Sequence, residues 1–296
     1  MVGLQSRQSG FVPASGNRSA APFIAAVMSA ARPQTRRSLC PMLTAMADDL
    51  LTETRDGVLV ITMNRPERRN AINGPMACAI AEAINGFDAD PALRVAILTG
   101  AGGHFSTGMD LKAFLGGDLP GGGADFRGLV PPPIKPLIAA VDGHALAAGL
   151  ELLLSCDLVV AARDARFGLP EVTRGLVAGG GGLTHMPDLI PPRVALEMAL
   201  TGEAIDAGRA REIGLVNRIV DGPALDGAWD LARAIAANAP MAVRLTKAIM
   251  AEARDWPRDE RLRRQWARHG PVFASDDARE GARAFAERRQ PQWRDR

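Results

Sequence analysis

The chain has 296 residues, of which 47% are hydrophobic and 23% are charged, so it is long enough for one large globular domain with a smaller appendage. The formal net charge of +2 is unevenly distributed, because residues 1–47 hold five arginines and no acidic residue, whereas the rest holds 30 basic and 33 acidic side chains. The body of the chain is therefore slightly acidic, which argues against a nucleic-acid-binding surface.

Three cysteines, Cys40, Cys78 and Cys156, are widely spaced and form no CxxC pair or His/Cys cluster. This pattern predicts a reducing compartment, with neither a disulfide framework nor a structural zinc site.

Residues 1–46 form a leader that contains Arg and Ser but no acidic residue. It allows two interpretations: a transit peptide, which would direct the protein to mitochondria, or translation that truly begins at Met46 in a bacterial cytoplasmic protein. The second is favoured because Arg almost replaces Lys, as in genomes of high GC content. The apolar stretch Ala20–Ala31 is too short to span a bilayer, so we expect no membrane partner.

From Leu50 the pattern is that of a folded α/β protein. Val58–Met63 is predicted as a strand after the turn at Asp56-Gly57, and Met76–Ile84 as a helix. Arg94–Thr99 and Pro136–Val141 are short apolar runs closed by glycine, which indicates buried strands that lead into loops.

A segment rich in Gly and Pro, Gly116–Pro133, lies between these two runs. Its composition fits either a mobile segment over a binding site or a surface loop without a function.

The second half of the chain begins with a strongly apolar helix at Leu146–Ser155, a strand at Leu158–Ala162 and a four-glycine break at Gly179–Gly182. The predicted helices after the break are Val194–Leu200, Ala207–Ile213, Ala224–Ala237, Met241–Trp256 and Asp276–Arg289. This order predicts an α/β core over 47–222 and a C-terminal helical region over 223–296.

Glu151 stands among alanines and leucines and is followed by three leucines. Burial of an unpaired carboxylate raises its pKa, as a general acid or base that works near neutral pH requires. The alternative is a glutamate paired in the core or at a subunit contact.

Glu171 follows Pro170, which suits the first turn of a helix, where an acidic side chain complements the helix dipole. That structural role would explain Glu171 without catalysis, so a catalytic role stays open at this point.

Two backbone segments could hold an oxyanion. Phe105–Asp110 follows a strand and a glycine loop, and Ala147-Ala148-Gly149 opens the helix of Glu151. Both can present free N–H groups, and a helix N-terminus adds positive potential.

Five segments, in their order and spacing, resemble the crotonase (enoyl-CoA hydratase/isomerase) superfamily over about residues 50–296. These segments are Asn64–Ala71, Phe105–Lys112, Asp142–Glu151, Phe167–Glu171 and Arg288-Arg289. The resemblance implies an α/β fold with a ββα spiral core, a C-terminal helical region used for trimerisation, and assembly into a homotrimer or a dimer of trimers.

The resemblance also implies roles for single residues. The backbone N–H groups of Met109 and Ala148 would bind the thioester carbonyl oxygen, and Glu151 and Glu171 would act on one water and on the substrate α-carbon. Contacts to CoA would come from Arg69 and Lys112 and, across a subunit boundary, from Phe285 and Arg288. Arg69, Lys112 and Arg288 could instead be ordinary surface charges.

The implied substrate is an acyl-CoA thioester, and the implied reaction adds water to an enoyl-CoA with no metal and no separate cofactor. One departure from the family pattern is Ala148, where glycine is usual. Its Cβ would narrow the pocket, or would strain the turn if φ is positive.

Particular residues argue against other reactions of the superfamily. Isomerases generally keep one carboxylate of the pair, dehalogenases need an aspartate within the stretch Val172–Pro187, which has no acid, and the ring-forming synthases use tyrosine, which this chain lacks. An enoyl-CoA hydratase is favoured. An isomerase, a carnitinyl-CoA-type dehydratase and a non-catalytic acyl-CoA-binding subunit stay open.

Overall fold

The computed structural model of the protein describes residues 49–117 and 132–296, so the leader and most of the Gly- and Pro-rich segment lie outside the described residues. The strands in this part of the chain are β1 (Leu50–Arg55), β2 (Val58–Met63), β3 (Val95–Gly100), β4 (Leu137–Val141), β5 (His144–Leu146), β6 (Leu158–Ala162), β7 (Arg166–Gly168), β8 (Ile205–Asp206) and β9 (Arg218–Val220). The α-helices are α1 (Gly74–Ala89), α2 (Leu111–Leu115), α3 (Ala148–Leu154), α4 (Gly182–Leu189), α5 (Pro192–Thr201), α6 (Ala207–Glu212), α7 (Ala224–Ala236), α8 (Pro240–Glu252), α9 (Arg261–Phe273) and α10 (Asp276–Ala286).

The strands form two sheets. The larger has the order β1-β2-β3-β4-β6-β9, in which β1 and β2 are antiparallel and every later pair is parallel. The smaller has the order β5-β7-β8, and β5 is parallel to β7. Parallel strands require crossover connections, and the helices and loops of these crossovers supply the candidate site described below.

Both faces of the larger sheet are buried, as expected for parallel strands. Val58 and Val60 of β2 belong to one buried cluster, whereas Leu59 and Ile61 belong to the other, because successive side chains of a strand point to opposite faces. Strand β2 therefore does not alternate between apolar and polar residues. Its predicted bounds, Val58–Met63, are confirmed.

Helix α7 covers one face of the larger sheet. Ala224, Ala228 and Ala232 are fully buried there, and their spacing of four places them on one side of the helix. The predicted division after residue 222 therefore falls just before a helix that packs on the core sheet.

Helix α1 covers the other face of the larger sheet, where it packs in the buried cluster that contains Leu59 and Ile61. Its buried side chains are Met76, Ile80, Ile84 and Phe87, which follow the helical period. Asn73 caps the helix, because its side-chain oxygen accepts a hydrogen bond of 2.9 Å from the N–H of Met76.

One predicted element has a different structure. The apolar run Leu146–Ser155 was expected to be a single helix, but Leu146 ends β5, where it pairs with Gly168, and the helix begins at Ala148. The chain changes direction at Ala147, which has a φ of 51° and a ψ of −129°. Strand β5 has three residues and pairs with a distant segment, so its sequence alone resembles the start of the helix.

The helical end of the chain differs from the prediction in extent. Helix α8 ends at Glu252 rather than at Trp256, and α10 ends at Ala286 rather than at Arg289. Helix α9 was not predicted, because a helix rich in Arg that also contains Gly270 and Pro271 lacks the usual composition.

No helix in the described ranges is long and apolar enough to cross a membrane. The same residues contain no group of three or more His, Cys, Asp or Glu side chains that could hold a metal ion.

Candidate active site

A cleft of about 610 Å³ opens where α2, α3 and the 3-10 helix Pro170–Arg174 approach each other. Its described lining consists of Arg68, Arg69, Ala71, Thr107, Met109, Asp110, Leu111, Lys112, Phe114, Leu146, Ala147, Ala148, Glu151, Pro170, Glu171, Arg174, Leu176, Val177, Gly179 and Gly180. The volume suits a small-molecule ligand. Six residues predicted from the sequence thus share one site: Arg69, Met109, Lys112, Ala148, Glu151 and Glu171.

Glu151 lies on α3 and is only 3% exposed. Its Oε1 accepts backbone hydrogen bonds from Gly180, at 2.7 Å, and from Gly182, at 2.9 Å. Burial raises the pKa of this carboxyl, while the two N–H groups and the charge of His185 oppose that rise. Glu151 has no ion-pair partner among the described residues, so the alternative of a paired core glutamate lacks support.

Two glycines of the run, Gly181 and Gly182, suit this contact. A Cβ added to Gly182 would lie 3.0 Å from Cγ of Glu151 and 3.1 Å from its Oε1, and Gly181 has a φ of 103°. From the sequence the run was interpreted only as a break before a helix. Its two N–H groups are the functional feature that sequence reasoning missed.

Glu171 lies in the first turn of the 3-10 helix, directly after Pro170 as the sequence predicts. Its Oε2 is buried and has no hydrogen-bond partner in the described part of the chain. Burial raises the pKa of Glu171 and the negative charge of Glu151 raises it further, whereas a hydrogen bond from its own backbone N–H and the charge of Arg174 oppose the rise. An unpartnered buried carboxyl oxygen costs stability unless a ligand or a water satisfies it.

The N–H groups of Met109 and Ala148 have no acceptor among the described residues. Met109 pairs with Ile72 in an isolated bridge, in which the hydrogen bonds are made by Gly108 and Asp110 instead. Ala148 is the first residue of α3, where a helix leaves its N–H groups unsatisfied. Both groups are therefore available to a ligand in the cleft.

The two segments that carry these N–H groups are joined directly. Ser106 donates a backbone hydrogen bond of 2.8 Å to His144, and Leu146 donates one of 2.9 Å to Ser106. A Cβ added to Gly149 would lie 2.5 Å from the carbonyl oxygen of Ser106. The close approach explains why glycine stands at position 149.

Ala148 does not meet the condition for strain, because its φ is not positive. Ala148 has an ordinary helical conformation, and the residue with positive φ is its neighbour Ala147, at 51°. A non-glycine residue in this region is strained by about 1–3 kcal/mol. Both alanines line the cleft.

The predicted CoA contacts divide into two groups. Arg69 and Lys112 line the cleft, together with Arg68 and Arg174, which the sequence analysis did not single out. Phe285 and Arg288 do not line it, and Phe285 is 88% exposed at the end of α10. The single chain therefore does not bring these two residues to the site, as expected if a neighbouring subunit uses them.

Comparison with known proteins agrees with the site. A family model described as enoyl-CoA hydratase/isomerase matches residues 53–296. The chain belongs to this family. Enoyl-CoA hydratase EchA19 of Mycobacterium tuberculosis is 41% identical over 260 residues, which cover 84% of this chain and 97% of that protein. A carnitinyl-CoA dehydratase of Salmonella enteritidis is 42% identical over 255 residues, which cover 82% and 97%.

Solved structures show the same fold. An enoyl-CoA hydratase from Mycobacterium tuberculosis H37Rv is 52% identical, with a TM-score of 0.80 over 84% of this chain and 100% of that one. A second, from Bacillus anthracis, is 31% identical with a TM-score of 0.79. The crotonase-type α/β fold predicted from the sequence is confirmed.

Proposed function

We propose that this protein is an enoyl-CoA hydratase, a hydro-lyase that adds water across the double bond of a 2-enoyl-CoA to give a 3-hydroxyacyl-CoA. The observation that carries the proposal is one cleft that contains two glutamates with raised pKa and two backbone N–H groups without acceptors. A hydration needs a base for water, an acid for the α-carbon and a site for the enolate oxygen.

The N–H groups of Met109 and Ala148 bind the thioester oxygen. Negative charge develops on this oxygen when the β-carbon is attacked, so donors fixed by the backbone stabilise the transition state more than the substrate. The rigid attachment of both segments at Ser106 supports this role.

Glu151 removes a proton from water as the water oxygen attacks the β-carbon, and Glu171 gives a proton to the α-carbon as the enolate collapses. The two N–H bonds to Glu151 favour its ionised form, whereas the charge of Glu151 favours the protonated form of Glu171. Proton exchange with solvent then restores both groups. The addition changes no net oxidation state, so the proposed reaction requires no redox cofactor.

Arg69 and Lys112 bind the phosphates of CoA at the mouth of the cleft, as cations suited to phosphate. We propose that Phe285 and Arg288 reach the CoA of a neighbouring subunit in a homotrimer or a dimer of trimers. Light scattering should then give at least a trimer mass, and Arg288→Ala should raise KM for crotonyl-CoA. A fully active monomer with an unchanged KM would contradict the shared site.

The similarity to a carnitinyl-CoA dehydratase makes that activity the second candidate. A quaternary ammonium group is commonly held by aromatic faces, and Phe114 is the one aromatic side chain among the described residues that line the cleft. The cleft also contains four cationic side chains. These features favour a substrate whose acyl group is uncharged.

We further propose that the protein acts in the cytoplasm.

The test is hydration of crotonyl-CoA, followed by the loss of the absorbance of the unsaturated thioester, with the double variant Glu151→Gln/Glu171→Gln as the control. We expect turnover by the wild type at least about 100-fold above the control. A wild-type rate equal to the control, with crotonyl-CoA still bound, would indicate a non-catalytic binding protein. A higher kcat/KM for carnitinyl-CoA would favour the second candidate, and faster turnover of a 3-enoyl-CoA would favour an isomerase.

A further inference from the structure

Ala147 connects β5 to α3 in a conformation that L-residues rarely adopt, with φ of 51° and ψ of −129°. Glycine would adopt these angles without the steric conflict that a Cβ introduces. The strain is maintained by the surrounding structure, because the N–H of Ala147 donates to Gly168 at 2.9 Å and its carbonyl oxygen accepts from Glu151 at 3.0 Å.

The methyl group of Ala147 contacts the neighbouring segment. A Cβ added to Gly108 would lie 2.5 Å from Cβ of Ala147, so the existing methyl lies directly against the backbone of Gly108. The same added atom would lie 3.2 Å from the nitrogen of Ala148. Position 108 must therefore be glycine, and its φ of 99° independently requires this.

The contact joins the two residues that precede the proposed oxyanion donors. Gly108 comes directly before Met109, and Ala147 comes directly before Ala148. The methyl group of Ala147, packed against Gly108, therefore lies between the two backbone segments that carry these N–H groups. Strained residues at sites of this kind commonly maintain a geometry that function requires.

We propose that Ala147 is a positioning residue, whose methyl group fixes the separation of the Met109 and Ala148 N–H groups at the expense of backbone strain. The inference rests on the proposed function, since it assigns the spacing to thioester binding. It predicts a trade-off between stability and activity that ordinary core packing would not produce.

The experiment is Ala147→Gly, which removes both the strain and the methyl contact. The thermal midpoint should stay the same or rise, while kcat for crotonyl-CoA should fall about tenfold with little change in KM, because the donors become misplaced rather than lost. Asp56→Gly is the matched control. Asp56 also has a φ of 51°, but it lies in the β1–β2 turn away from the cleft, so kcat should be unchanged.

The second measurement is the infrared carbonyl stretch of bound butyryl-CoA labelled with ¹³C at the thioester carbon. Polarisation by two donors lowers this frequency, and Ala147→Gly should move it back toward the value in water. This arm needs no turnover, so it tests the positioning role even if the wild type failed to hydrate crotonyl-CoA. An unchanged kcat and carbonyl frequency would overturn the inference, as would a fall in kcat that accompanies a fall in thermal midpoint.

Discussion

Glu151 and Glu171 share one cleft, but their surroundings differ. Glu151 receives two backbone hydrogen bonds on Oε1, whereas Glu171 has a buried Oε2 with no partner among the described residues. Burial raises the pKa of both groups. Two backbone hydrogen bonds lower the pKa of Glu151, whereas Glu171 has one, from its own N–H, which opposes both burial and the charge of Glu151. The two environments therefore favour a base at Glu151 and an acid at Glu171.

The largest expected effect is the loss of either carboxyl group. Glu151→Gln and Glu171→Gln preserve shape but cannot transfer a proton, so each should lower kcat by about 100-fold or more. The check is steady-state hydration of crotonyl-CoA, with circular dichroism as the control for folding. A folded variant with the wild-type kcat would remove that glutamate from the mechanism.

Gly182→Ala tests the hydrogen bonds that distinguish Glu151. The added Cβ would come within 3.1 Å of Oε1 and 3.3 Å of Cδ1 of Leu169, so the carboxylate must shift. We expect kcat to fall about tenfold. Gly86→Ala is the matched control, because a Cβ there meets no atom within 4 Å in helix α1. Equal activity of the two variants would show that the position of Glu151 tolerates displacement.

The sequence was sufficient to predict strands that are continuous apolar runs. It also indicated side chains whose charge is unusual for their surroundings. Strand β6 has its predicted bounds because a continuous apolar run is typical of a strand buried on both faces. Glu151 was recognised because burial of an unpaired carboxylate among leucines is unfavourable and raises its pKa. Ala147 gave no such indication, because its φ depends on the pairing of Leu146 with Gly168, which local sequence does not reveal.

The same limit applies to the contacts of Glu151. Gly180 and Gly182 are about thirty positions away in the chain, and only the tertiary structure brings their N–H groups to Oε1. His185 was overlooked for the same reason. The backbone N–H of His185 donates to the carbonyl oxygen of Gly181, and a Cβ on Gly181 would lie 3.3 Å from the His185 ring. The ring therefore packs against the turn that contains Gly181.

His185→Gln should therefore change the pH dependence. The charge of His185 lowers the pKa of Glu151, so its removal raises that pKa. Glu151 acts when ionised, and activity is lost as pH falls through its pKa, so the acid limb of kcat/KM should move to higher pH. His185→Arg keeps a positive charge and is the control. Glu171 and Arg174 line the same cleft as Glu151. If the acid limb of kcat/KM stayed at the wild-type pH in His185→Gln, the effect of His185 on the pKa of Glu151 would be contradicted.

Arg174→Gln is the corresponding change for Glu171 and should have the smallest effect, because the exposed guanidinium is screened by solvent. Loss of this charge raises the pKa of Glu171. Glu171 acts when protonated, so the basic limb should move to higher pH while the acid limb stays in place. Arg174→Lys should resemble the wild type, and a shift of the acid limb alone would reverse the assignment of acid and base.

The most direct test of the account is the double-mutant cycle on kcat for Glu151→Gln, Glu171→Gln and the double variant. Two groups that act on one water in one step lose their joint effect when either is removed. We predict that the double variant falls no more than about tenfold below the slower single variant. Losses that multiply, to about 10,000-fold when each single loss is 100-fold, would show that the glutamates act independently and would contradict the proposed pair.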